Sequence, residues 1–250
     1  IMSLIARNVN LSVEGFSLLR NISLEITAGE ITAIVGPNGA GKTSLLRLLC
    51  GELVPDAGEV SLNHKPLAQW DARQRASQLA VLPQASNLDF PFTAREVVAL
   101  GRTPHATGLQ RDREIVDQAL EWVDGSYLDQ RSYLQMSGGE KQRVQLARVL
   151  AQIWEPADNG QPRCLILDEP TSAFDLAHQQ LMIQIMRQMA AEGVGVLVVL
   201  HDLNLAARCA DQMVVLHQGA VASMRAPDSV LTAAMLKEVF GVDAEIKTHH

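Results

Sequence analysis

The chain has 250 residues, 47% hydrophobic and 20% charged, enough to bury a sizeable core in one domain or two closely joined subdomains. A formal net charge of −7 argues against a nucleic-acid or anionic membrane surface as the main partner. The longest apolar run, "VGVLVVL" at 194–200, falls well short of the roughly 18 residues that a membrane-spanning helix needs, and Arg7, Asn8 and Asn10 interrupt any signal-peptide pattern near the amino end.

Short apolar stretches open the chain. "LIARNVNLSV", "ISLEI" and "ITAIVG" read as strands, the last apolar throughout, as expected of a strand buried on both faces. It runs into "GPNGAGKT" (36–43) and then "SLLRLLCG", where Leu45, Leu46, Leu48 and Leu49 supply an apolar helix face. Residues 59–84 return to strands and close on "LAVLPQ". From Thr93 to Leu150 the periods are helical, in "TAREVVALGR", "REIVDQALEWV" and "GEKQRVQLARVL", with polar turns at 101–110 and 124–135. This is a helical insertion, about 86–150, within an α/β core. "CLILDEP" is a second buried strand, followed by the helix "DLAHQQLMIQIMRQMAAEG". "GVLVVLHDL" is a third, "QMVVLHQGAVASM" a hairpin turning at Gln218-Gly219, and "DSVLTAAMLKEVFG" a last short helix. Strands alternating with helices predict a mainly parallel sheet. Cys50, Cys164 and Cys209 are widely spaced in apolar contexts, which predicts buried, inert thiols in a reducing compartment. Ile1 ahead of Met2 and the closing His249-His250 read as additions without a role.

The chemistry starts at "GPNGAGKT", a complete phosphate-loop pattern in the strand–loop–helix context that it requires. Its glycines let backbone N–H groups cradle phosphates. Lys42 reaches the terminal phosphates, and Thr43 offers a hydroxyl to Mg²⁺. "LILDEP" delivers Asp168 and Glu169 at the carboxyl end of a strand, the edge where open α/β sheets bind ligands. Asp168 is suited to the Mg²⁺ shell and Glu169 to polarising an attacking water as base. His201 in "LHDL" ends a third strand at this edge, where it can hold a γ-phosphate and the water in line. Gln84 in "VLPQ" ends another, and its amide can touch both Mg²⁺ and water. A second anion site stands about a hundred residues after the first: Ser137, Gly138 and Gly139 open a helix in "MSGGEKQRVQLARVL".

With these motifs in this order, "GPNGAGKT", Gln84, "MSGGEKQR", "LILDEP", "SAFD" and His201, the chain resembles an ATP-binding-cassette ATPase over essentially its whole length. The resemblance implies one 1–250 nucleotide-binding domain: a phosphate-loop NTPase core, an amino-terminal antiparallel β subdomain and an inserted α-helical subdomain. It implies ATP and Mg²⁺, with ATP contacts from Gly36, Pro37, Asn38, Gly39, Ala40, Gly41, Lys42, Thr43 and Ser44, and from Ser137, Gly138, Gly139 and Asp175. Metal contacts fall to Thr43, Gln84 and Asp168, and catalysis to Glu169, His201 and Gln84. It also explains the second anion site. Two chains of this family meet head to tail, and the "SGGE" helix start of one binds the γ-phosphate held by the other. Met136 and Phe174 stand where Leu is usual. The aromatic residue on which this family stacks adenine falls on Val13 by spacing, and the nearest aromatic is Phe16, which either reaches the base or packs in the core.

One cassette without a membrane span resembles the separate ATPase of a bacterial importer. "EVVALGRTPH", "DREIVDQALE" and "PTSAFDLAHQ" are similar to the ATPases of iron-siderophore, haem and vitamin B12 importers. The polar stretch "WEPADNGQP" (154–162) points to the haemin group, or is a neutral loop insertion. The implied partners are a second copy of the chain, two transmembrane permease subunits and, indirectly, a periplasmic substrate-binding protein. The implied place is the cytoplasmic face of the inner membrane, as a peripheral protein. Substrate choice would lie in those partners, and nothing in the chain is expected to bind haem or nucleic acid. The alternatives are a siderophore or cobalamin importer ATPase and an ATP-gated nucleic-acid switch.

Overall fold

The computed structural model describes residues 2–84, 88–156, 160–172 and 174–247. In chain order the strands are β1 (Met2–Val13), β2 (Phe16–Thr27), β3 (Ile31–Val35), β4 (Ala57–Leu62), β5 (Lys65–Pro66), β6 (Leu79–Leu82), β7 (Cys164–Asp168), β8 (Gly195–Val199), β9 (Gln212–His217) and β10 (Ala220–Arg225). The helices are α1 (Lys42–Leu49), α2 (Ala72–Ala76), α3 (Ala94–Ala99), α4 (Leu109–Trp122), α5 (Gly138–Gln152), α6 (Leu176–Ala191), α7 (Leu203–Cys209), α8 (Pro227–Val230) and α9 (Ala233–Met235). Two sheets result: an antiparallel one ordered β2-β1-β4-β5, and a larger one ordered β10-β9-β3-β8-β7-β6. The larger sheet is parallel except where β10 pairs with β9. No helix among the described residues is long and apolar enough to cross a membrane.

The unbroken apolar strands of the larger sheet face two cores at once. Ile31, Ala33, Val35, Leu165, Leu167, Val196 and Val198 point into one, which also holds α3, α4, α5 and α6 side chains. Ile34, Ile166, Leu197 and Val199 point into the other, shared with α1 and the antiparallel sheet. This is the two-residue period of a strand with no solvent-facing side. Leu45, Leu46, Leu48 and Leu49 of α1 all enter the second core, as their spacing predicts.

The three helical periods after Thr93 become α3, α4 and α5. Thr93 caps α3 with a box in which Glu96 returns the bond to the Thr93 backbone N–H. The 154–162 stretch is tied down at its start. Trp154 packs on Trp122 of α4 with ring centroids 4.5 Å apart, and Glu155 accepts from Arg111 of α4 at 2.8 Å. Residues 157–159 lie outside the described residues, as do Ile1, His249 and His250, Ala173 of "SAFD", and 86–87 at the start of the helical insertion. Pro104-His105 also has partners: the His105 ring Nε2 lies 2.7 Å from the Gln152 carbonyl, and Arg73 Nε donates to the Pro104 carbonyl. Arg102, buried between these pieces, donates to Asp112, Thr107, Glu155 and the Ala151 carbonyl. Arg102→Ala is expected to destabilise the chain by about 3 kcal/mol, because it strands the partners of a buried ion cluster. A lowered urea midpoint measures this.

Four readings need correction. Residues 59–84 are not all strand, since Asp71 caps the short helix α2; none of its residues is buried, so it has no apolar period to read. The last helix is broken. Leu231 and Thr232 are extended, and the Thr232 side chain accepts the Met235 N–H and restarts the helix. Cys164 and Cys209 are buried, but Cys50 is only half-buried. Burial raises all three thiols, to about 12, 11 and 11 respectively, which keeps them protonated and inert. Phe16 does not pack in the core, being 75% exposed.

Candidate functional site

Parallel register builds the site. Ile34 of β3 and Asp168 of β7 both align with Val199 of β8, and Leu82 of β6 aligns with Leu167. The carboxyl ends of four strands therefore lie along one edge, so motifs scattered from residue 36 to residue 201 converge.

Beyond Val35 the chain turns at Gly36, where a Cβ would lie 2.3 Å from the Leu216 carbonyl oxygen; only glycine fits so close a crossing. The loop folds back as Ala40 N–H donates to Pro37 O, and Gly41, at φ 102°, feeds α1. The Lys42 ammonium donates to Gly36 O at 2.8 Å and Pro37 O at 3.1 Å, lying over its own loop. Burial, the larger effect, holds its pKa below the usual lysine range, while the nearby charges of Glu169 and Asp168 act upward. Such an ammonium gains by meeting an anion that takes the place of its carbonyl partners.

Glu169 sits one residue past β7 with φ 48°, a sparsely populated conformation for a residue with a side chain, and its N–H donates to Val199 O. Gln84 Nε2 donates to Oε2 of Glu169 at 2.7 Å, and His201 Nε2 contacts Oε1. Residues just past the ends of β6, β7 and β8 thus meet on one carboxylate. Burial and then the neighbouring Glu169 charge raise the Asp168 carboxyl above its ordinary range, with Lys42 and His201 acting downward. The two carboxylates side by side disfavour each other's charge, and the nearby Lys42 ammonium offsets part of this.

A cleft of about 580 Å³ joins the phosphate loop to Glu169 and His201, with Gln84 and Asp168 outside its lining. Asn38, Gly39, Gly41, Lys42, Thr43 and Ser44 line it together with Glu169 and His201. Sequence reasoning missed its other wall, Ser17, Leu18, Arg20, Gln218 and Gly219. Gln218-Gly219 was legible as a hairpin turn, with both residues at positive φ. What the pattern did not carry is that Gly219 N–H donates to Ala40 O and folds this turn over the phosphate loop. Arg20 has no sequence signal at all. Val13 and Phe16 are exposed and do not line the cleft.

Ser137, Gly138, Gly139 and Asp175 do not line it either. Ser137 caps α5 in a capping box: its hydroxyl accepts from Glu140 N–H, and Glu140 accepts from Ser137 N–H at 2.8 Å. That backbone bond, foremost, lowers the Glu140 pKa. Nothing lies within 4 Å of where a Gly138 Cβ would be. Asp175 caps α6 and accepts from the backbone N–H of His178 at 2.9 Å, which holds its carboxyl below the usual range; the His178 ring lies within 2.8 Å.

A family model described as ABC transporter matches residues 19–172. The chain belongs to the ABC transporter family. It is 52% identical over 246 residues to the hemin import ATP-binding protein HmuV of Pseudomonas entomophila, covering 96% of this chain and 95% of that one. It is 48% identical over 242 residues to HmuV of Pseudomonas aeruginosa, with 96% and 94% covered. A dimeric bacterial ABC transporter cassette superposes with a TM-score of 0.79 at 26% identity, covering 90% of this chain and 98% of that one. As an ABC ATPase the chain binds ATP, and its two sheets with the helical insertion are the family fold.

Proposed function

We propose that this chain is the ATP-hydrolysing subunit of a bacterial hemin importer, working as a homodimer on a separate membrane permease. The observation that carries the reaction is the meeting of Gln84 and His201 on Glu169, with Glu169 and His201 lining a cleft floored by the phosphate loop. The name shared by relatives about half identical over nearly the whole chain carries the cargo.

In this reading the loop from Gly36 to Ser44 binds the triphosphate through backbone N–H groups, and Lys42 leaves its carbonyl partners for the terminal phosphates. The Thr43 hydroxyl, Asp168 and the Gln84 carbonyl would hold Mg²⁺. They are hard oxygen donors, few enough to leave room for phosphate oxygens and water. The metal would supply charge neutralisation of the phosphates. Glu169 takes the proton of the attacking water, and His201, already on that carboxylate, positions water and γ-phosphate. Ser137, Gly138 and Gly139 serve the nucleotide of a second copy, which accounts for their place outside the cleft and for the open space at Gly138. Asp175 acts at the same junction. The partners are two permease subunits and, through them, a periplasmic binding protein, with the chain peripheral on the cytoplasmic face of the inner membrane.

His201→Ala is expected to bind ATP as wild type does and to lose about 10²-fold in turnover, since it removes only positioning. Equilibrium ATP binding beside phosphate release measures both; equal loss of affinity and rate would move His201 into ground-state binding. For the cargo, the chain is purified from membranes with its permease and placed in liposomes. ATPase activity should rise with a hemin-loaded binding protein. A rise with cobalamin or a siderophore instead would overturn the hemin assignment and leave the ATPase reading intact.

A further inference from the structure

The outer wall of the cleft has no role in the reaction described above. It is built by β2 and the β9–β10 turn. Leu19 is fully buried, and a Cβ on Gly41 would lie 2.8 Å from its Cδ2 and 3.0 Å from the Leu18 carbonyl oxygen. β2 therefore abuts the phosphate loop directly. Leu18 and Arg20, on either side of buried Leu19, both line the cleft. Arg20 is held at two points: its backbone N–H donates to Gly219 O at 2.7 Å, and its Nη2 donates to Gln218 O at 2.5 Å. Because Gly219 in turn donates to Ala40 O, the guanidinium is tied to the phosphate loop through one turn.

Among the described residues, no aromatic lines this cleft. Val13 and Phe16 flank the β1–β2 turn, 46% and 75% exposed. A nucleotide whose phosphates lie on residues 36–44 must lay its base against whatever wall the loop faces away from Glu169 and His201, and that wall carries a planar cation. The guanidinium's hydrogen-bond partner is a carbonyl rather than a carboxylate, so its charge is not cancelled there. Guanidinium groups are weakly hydrated and stack well on aromatic faces. We propose that Arg20 is the residue against which the adenine base rests, in place of an aromatic ring. The proposal rests on the nucleotide-binding reading above.

The test separates base from phosphate. Binding of ATP and of inorganic tripolyphosphate, each with Mg²⁺, is measured on the purified chain, on Arg20→Ala, Arg20→Lys and Phe16→Ala. Arg20→Ala should weaken ATP roughly ten-fold, the size of a partly desolvated cation–π contact, and leave tripolyphosphate unchanged. Arg20→Lys, which keeps charge and stem but not the plane, should recover only part of the loss and serves as the folding control. Phe16→Ala should change neither ligand. An Arg20→Ala chain that binds ATP as wild type does overturns the proposal. So does equal weakening of both ligands, which would make Arg20 a brace for the loop, and so does an ATP-specific loss confined to Phe16→Ala. Wild-type protein that binds tripolyphosphate as tightly as ATP would remove any base contact. Failure of wild type to bind either would bring down the nucleotide-site reading itself.

Discussion

Glu169→Gln is expected to retain ATP and to lose hydrolysis by about 10³-fold or more, within the range of general-base contributions. The amide keeps the shape of the side chain, and its one oxygen can still accept from Gln84 Nε2, which donates at 2.7 Å in the native chain. Its NH₂ then faces His201 Nε2, a contact that a neutral imidazole can accept. What is lost is the lone pair that would take a proton from water. The substitution also removes the negative neighbour that helps to raise the Asp168 carboxyl. With hydrolysis blocked, the species that accumulates in ATP and Mg²⁺ should be a dimer holding two ATP. Phosphate release and size-exclusion chromatography read the two halves of this expectation. Wild-type hydrolysis, or monomers at saturating ATP, would sink it.

Mixing two inactive variants is expected to restore activity, because the α5 helix start and the cleft lie in different places in one chain. Lys42→Ala removes the buried ammonium and leaves Ser137 and Gly138 intact. The second variant keeps Lys42 and carries bulky replacements at Ser137 and Gly138. A Cβ at Gly138 meets nothing within 4 Å among the described residues, so the replacement should fold and act mainly on whatever approaches from outside. Random pairing into two-fold dimers would rebuild one complete site in each mixed pair, up to about a quarter of all sites. Phosphate release across the mixing ratio, with dimer content measured on the same samples, should peak near equal proportions. Flat activity while mixed dimers form at the expected level would show that Ser137 and Gly138 act within their own chain.

Much of this is legible in the sequence alone, and the physical reason differs from element to element. β3, β7 and β8 are apolar without interruption because each is buried on both faces, so they could be found and their ends located. Once those ends lie at one edge, Lys42, Asp168, Glu169 and His201 must meet, and the cleft residues from Asn38 to Ser44 follow from the loop pattern. α2 escaped because a five-residue exposed helix has no periodic face, and the break at Leu231–Thr232 because a capping threonine inside a helical pattern looks like any other polar residue. Arg20 and Gly219 escaped for a different reason. Their contacts with each other and with Ala40 span up to about 200 positions, and nothing local encodes them.

The bracing of the phosphate loop by Gly219 and Leu216 has a consequence for how the protein is made. β3 and its loop are synthesised within the first fifth of the chain, yet both of β3's neighbours, β8 and β9, come from beyond residue 194. Until then a strand destined for the centre of the sheet has two open edges, the arrangement most prone to pairing with another nascent chain. A translation product ending before Gln212 would carry every motif of the cleft in its sequence and still lack one side of β3 and the turn that holds Ala40. Such fragments should accumulate as aggregates rather than as idle nucleotide binders. Competence for ATP therefore arrives late and all at once, after the ribosome has passed the last hairpin.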